Sequence, residues 1–188
     1  MSSLQKFHRR TQSLAPASPF TAIGEGNETV GYWLGTAGDG TSKLIVAPQS
    51  TELNTANIGS RNWGSFGTVR GTTSTTNGLA NTNTLAAFGA GHHPAPSYIK
   101  SLTTGGYNTW YLPANVELQT LYSNKSATPF SLTASVFSES PQSKATYMSS
   151  TENNGQYSFL LAMNNGNLYG GYNNKNNLNS KFRGVRRA

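Results

Sequence analysis

GGYNTWYLPANVELQTLYSN, residues 105–124, holds the most readable element of this 188-residue chain and anchors the reading of its fold. Gly105 and Gly106 end whatever comes before them. Residues 107–113, YNTWYLP, form a tight aromatic link. From Ala114 to Asn124, Leu118, Leu121 and Tyr122 recur three and four residues apart and mark one face of a helix. Ala114 or Asn115 stands at its start.

Outward from this stretch the elements change type. On the N-terminal side, PSYIKSL (96–102) reads as a helix, with Tyr98, Ile99 and Leu102 at helical spacing. NGLANTNTLAAF (77–88) reads as a short helix beginning near Asn81 or Asn83, both good caps. GAGHHPAP (89–96) and NWGSFGT (62–68) are loops, and Trp63 and Phe66 are isolated anchors in a Thr-, Asn- and Gly-rich region. Earlier still, TVGYWLG (29–35) and KLIVAP (43–48) read as a strand hairpin around Asp39-Gly40. The unbroken apolar run of the second strand points to burial, and Pro48 stops it.

On the C-terminal side the pattern returns to β. TASVFSE (133–139), KATYMSS (144–150) and QYSFLLAM (156–163) are strand candidates. NNGN (164–167) is a hairpin turn by composition, NLYGGYN (167–173) its return strand, and KFRGVRR (181–187) a final strand. Strands, then the helical stretch 77–88 and two short helices at 96–102 and 114–124, then strands predict an α+β domain over 29–188, with helices on one side of an antiparallel sheet. Residues 1–28 read as an arm. Pro16 and Pro19 break any helix there, and Leu4 and Phe7 offer one small apolar contact.

Charge follows the same division. Residues 1–20 carry Lys6, Arg9 and Arg10 and no acid. Residues 153–188 carry Lys175, Lys181, Arg183, Arg186 and Arg187 and no acid, and the body between is nearly neutral. Basic ends can attract nucleic acid or acidic polymers. The basic–aromatic stripe of a nucleic-acid binder is missing, so nucleic acid is not expected as a partner. The chain has no cysteine, which excludes disulfides and thiolate chemistry. No apolar run approaches the ~20 residues of a membrane span. Residues 1–20 lack the apolar stretch of a secretory signal, so synthesis in the cytoplasm is expected.

The residues argue against catalysis and cofactors. A glycosidase needs two carboxylates facing each other across a cleft. Glu117 and Glu152 are the best pair, but Glu117 reads more simply as a helix cap or as a partner of an arginine such as Arg186. Adjacent His92 and His93 point apart on an extended chain and suit a loop better than a metal. Asp39 is the sole Asp, too few acidic ligands for a calcium lectin site. No enzymatic activity, metal or cofactor is expected.

Binding has more support. Residues 153–179 hold ten Asn in 27 positions, interspersed with Tyr157, Tyr169 and Tyr172. Asn offers donor and acceptor, and Tyr offers a flat amphipathic face, a pairing that suits sugar or protein surfaces. Equally, Asn serves turns. Candidate ligand contacts are Trp63, Tyr157, Asn164, Asn165, Tyr169, Tyr172, Asn173 and Asn174.

Several motifs together resemble the Lcl C-terminal domain family, which occurs in bacterial surface proteins and phage proteins. They are Gly105, Gly106, Tyr107, Trp110, Leu112, Pro113, Glu117 and Leu118, flanked by YWLGTAGDGTSKLIVAP (32–48), WGSFGT (63–68), NGLANTNTLAAF (77–88), TYMSSTE (146–152) and FRGVRRA (182–188). The chain departs from the pattern at Ala114, often Ser, and at Met148, often Trp. The loss of Ser at 114 removes half of a capping box, so the helix start is expected to shift to Asn115. The resemblance implies a C-type-lectin-like fold with long loops.

Combined, these readings lead to the expectation of a virion component: a decoration, head-fibre or tail-tip protein without catalysis, located on the particle. Its partners would be other virion subunits, most simply copies of itself, and a cell-surface glycan or protein receptor. Leu4, Lys6, Phe7, Arg9 and Arg10 would serve assembly. The rival reading is a host-receptor or glycan-binding adhesin module.

Overall fold

The structure is a computed structural model and describes residues 20–53, 61–126, 146–171, 174–176 and 181–188. The chain is α+β, with two antiparallel sheets and three α-helices among the described residues. The first sheet has the order β1-β2-β3-β7, from β1 (Gly26–Asn27), β2 (Gly31–Thr36), β3 (Lys43–Val46) and β7 (Val185–Arg187). The second contains β4 (Thr146–Glu152), β5 (Ser158–Ala162) and β6 (Leu168–Tyr169). Two sheets therefore stand where one was expected.

Strand β3 explains how the core is divided. Its neighbours in the sequence alternate between two apolar clusters. Leu44 and Val46 face one side with Leu34, Tyr111, Leu118, Leu121 and Tyr147. Ile45 and Ala47 face the other with Trp63, Ile99, Trp110, Met148 and Phe182. A strand alternates its side chains, so an unbroken apolar run is stable only where both faces are covered. That is the case here. The register of β3 with β7 (Leu44 opposite Arg187, Val46 opposite Val185) ties the C-terminal strand to the centre of the sheet.

Helix α1 (Gly78–Ala87) starts earlier than Asn81. Asn77 caps it, its Oδ1 accepting from the Ala80 N–H at 3.1 Å. Asn81 is buried instead and donates to the Ser74 carbonyl. Helix α2 (Pro94–Ser101) also starts before the expected residue 96, because Pro94 takes the first helical position, where its missing N–H costs nothing. Helix α3 (Asn115–Asn124) keeps Ala114 at its cap position. Ala114 has no side-chain acceptor, and Glu117 supplies the other half of the box by accepting the Ala114 N–H at 2.9 Å.

Residues 20–28, read as part of an arm, belong to the body. Phe20 is buried and β1 pairs with β2. Residues 1–19, including Leu4, Lys6, Phe7, Arg9 and Arg10, lie outside the described residues, as does the strand expected at 133–139.

Candidate functional site

Four segments that are distant in sequence converge at one end of β4: the 61–71 loop, the α1–α2 junction, the β4–β5 turn at 153–157, and residues 174–176. Glu152, the last residue of β4, is the hub. Its carboxylate accepts the backbone N–H of Arg70 at 2.9 Å and of Gly71 at 2.8 Å. It also pairs with the Lys175 ammonium, and both side chains are buried. Lys175 donates further to the Thr68 carbonyl at 2.8 Å and lies 4.9 Å from the Trp63 ring centre. A buried ion pair offsets its desolvation only when the remaining donors and acceptors are used, as they are here. Burial pushes the Lys175 ammonium down from its ordinary value, and Glu152 opposes that shift.

His93 lies beneath the same loop. One ring nitrogen, Nδ1, is 3.1 Å from the Trp63 carbonyl, and Nε2 accepts from Arg70 Nε at 3.0 Å. Burial holds His93 below its ordinary value. The Trp63 carbonyl works against this, while the charges of Arg70, Lys175 and His92 add to it. Gly64 makes room for the ring: a Cβ there would stand 2.1 Å from Nδ1. The Arg70 guanidinium lies over Phe88 at 4.1 Å. At the rim, Phe66, Val69 and Phe88 are 47%, 67% and 44% exposed, beside the exposed amides of Asn153, Asn154 and Gln156.

The candidate ligand residues do not gather in one place. Trp63 is 0% exposed and its Nε1 donates to the Ser149 carbonyl at 2.8 Å, so it floors the loop and presents no face to solvent. Tyr157 is half-buried and bridges to Asn174, at the end described above. Asn164 and Asn165 lie in the hairpin turn at the other end of β5, where Gly166 packs on Tyr122. Five strand residues put roughly 16 Å between the two ends. Tyr169 is half-buried opposite Leu160. Tyr172 and Asn173 are outside the described residues. Several Asn side chains are held by local turns: Asn154 accepts from the Gln156 and Tyr157 N–H groups, and Asn165 from that of Asn167.

Glu117 and Glu152 do not form an open acid pair. Glu117 is fully buried, accepts from the Tyr111 hydroxyl at 2.9 Å and from the Ala114, Gly78 and Gly38 N–H groups, and is ion-paired with Arg187 at 3.6 Å. The arginine that reaches it is Arg187; Arg186 instead stacks on Tyr107 at 3.6 Å. The third buried acid, Glu52, meets Arg183 at 2.9 Å and the Tyr147 hydroxyl. No group of three or more His, Asp or Glu side chains suited to a metal occurs among the described residues. His93 and Lys175 were illegible as site residues. Their partners come from 23 or more positions away, and their sequence neighbours are ordinary loop residues.

Fold and site thus define an α+β domain with a polar, buried hub under an exposed loop rim. The Lcl C-terminal domain family matches residues 72–186, well over half of the chain, and the chain belongs to that family. No curated protein and no solved structure matches it.

Proposed function

We propose that this chain is a non-catalytic binding domain of a phage particle, a decoration, head-fibre or tail-tip protein with a C-type-lectin-like fold. The observation that carries the non-catalytic part is the state of the buried acids. Glu52, Glu117 and Glu152 are each engaged by a cation and by further donors, so none is left to activate water or protonate a leaving group. The rim above Glu152 offers what a contact surface needs: apolar side chains among neutral amides, with no exposed acid between them. In this role the basic residues Lys6, Arg9 and Arg10 would anchor the chain for assembly.

Two measurements test this reading. The full chain is expected to form a discrete oligomer by light scattering, and Lys6, Arg9 and Arg10→Ala together are expected to shift it toward monomer. A monomeric wild-type chain would remove the assembly role. Polysaccharide cleavage that disappears in Glu152→Gln would remove the non-catalytic one. The adhesin reading is favoured by the half-buried Tyr157 beside exposed Asn153 and Asn154, and it requires binding on a glycan array.

A further inference from the structure

Groups from several segments surround the His93 ring. Trp63 meets it edge-on at 5.4 Å, and Phe88 lies tilted at 5.9 Å. The charged and titratable neighbours are Arg70 from the loop, Lys175 from 174–176 with its partner Glu152 on β4, and His92 beside it in the chain. The direction of each hydrogen bond is fixed by chemistry. Arg70 Nε can only donate, so His93 Nε2 accepts. Nδ1 then carries the ring's hydrogen and donates to the Trp63 carbonyl. The ring is neutral in this arrangement. A second proton has one place to bind, Nε2, which already accepts from Arg70.

We propose that His93 is a proton-operated latch on the 64–71 loop: protonation at Nε2 turns the acceptor for Arg70 into a donor, removes one of the loop's ties, and favours opening of the segment that carries Phe66 and Val69 against the backbone bonds that Glu152 still makes. Two donors would then face each other at 3.0 Å. The charge balance worsens as well. Arg70 and Lys175 against Glu152 leave one net positive charge, and a protonated His93 makes it two in a buried setting. Glu152 cannot absorb the excess, because Lys175 and the backbone of Arg70 and Gly71 already hold its oxygens. Arg70 is expected to swing off Phe88 toward water. Because burial holds His93 below 6.5, the latch is closed at neutral pH and opens as the pH falls. The latch deepens the binding reading only in purpose, since it would regulate the exposed rim. The device itself needs no ligand.

Hydrogen exchange of the full chain between about pH 7.5 and about pH 5, corrected for intrinsic rates, tests it. Protection of residues 64–71 is expected to fall by up to about tenfold per pH unit below 6.5, while α3 stays protected. His92→Gln should keep that slope, and His93→Gln should abolish it. If His93→Gln fails to fold, Arg70→Met serves, since it removes the donor and one positive charge and should reduce the total loss of protection by about pH 5, leaving the part that burial of His93 contributes; an unchanged loss in that variant would overturn the latch as well. Side-chain NMR should show the Nδ1–H tautomer at neutral pH and a titration below 6.5. Flat protection in the wild type, an unchanged slope in His93→Gln, or a folded His93 titrating at 6.5 or above would each overturn the latch. No ligand enters these readouts, so a blank glycan array and a failed latch are separate results.

Discussion

Glu117 and Glu152 are both buried carboxylates on elements that follow family motifs, yet they organise two different kinds of region. Glu117 joins the ends of regular elements: the start of its own helix, Tyr111 six residues away, and Gly78 at the first position of α1. Its contacts include no histidine among the described residues. Glu152 joins loops to a strand, its cation comes from an Asn-rich stretch, and a histidine stands within the same network. The first arrangement fixes a scaffold. The second holds loops, and the proposed latch would make that hold depend on pH. The difference shows that equally buried acids are told apart by the segments they join, regular elements in one case and loops in the other.

The largest effect separating the two should come from Glu152→Ala. It strands the buried Lys175 cation and is expected to cost about 3–5 kcal/mol in chemical denaturation. Glu117→Gln keeps the shape of the scaffold but weakens hydrogen bonds from four neutral donors and removes the ion pair with Arg187, with an expected loss of about 1–3 kcal/mol. Gly78→Ala probes the same place through sterics. A Cβ there would stand 2.5 Å from Glu117 Oε2 and 2.6 Å from the Leu112 carbonyl, and about 1–3 kcal/mol of overpacking is expected. A loss as large as that of Glu152→Ala from either variant would erase the contrast.

The pH dependence sharpens it further. A base whose folded value lies below its unfolded one contributes stability that is complete above 6.5 and declines as the pH falls below it. For His93 the decline is at most about 1.4 kcal/mol per pH unit. His93→Gln should flatten stability between neutral pH and about pH 5 relative to wild type. The smallest effect belongs to Asp39 in the β2–β3 turn. Its hydrogen bonds from Ser42 and Thr41 hold it at about 2. That stability is present above the ordinary carboxyl range and is lost as the pH falls toward 2. Since the group is partly exposed, Asp39→Asn should change denaturation by less than about 1 kcal/mol.

What the sequence revealed depended on whether the information was local. The β2–β3 hairpin, α3 and the 164–167 turn were readable because spacing and turn residues lie within a few positions of one another. Helix starts were shifted because Asn77, four residues before Asn81, is an equally good cap, and only the packing of Asn81 decides between them. The bland reading of Glu117 as a cap with an arginine partner was legible from its place in the helix, although the arginine is Arg187. The hub was not legible. Lys175 sits among asparagines and looks like a solvated charge, and its burial depends on a glutamate 23 positions earlier. Trp63 looked like a ligand platform because isolated aromatics in loops often are, whereas here the loop folds over it.

One contact near the edge of the first sheet bears on how the domain can be handled. Lys43 donates from its side chain to the Phe20 carbonyl, and its backbone exchanges hydrogen bonds with Ala188. Residues 20 and 188 are thus one lysine apart. The point where residues 1–19 enter the body therefore lies beside the end of β7. By the same geometry, a label placed after residue 188 would emerge beside the segment that carries Lys6, Arg9 and Arg10, within reach of whatever that segment holds.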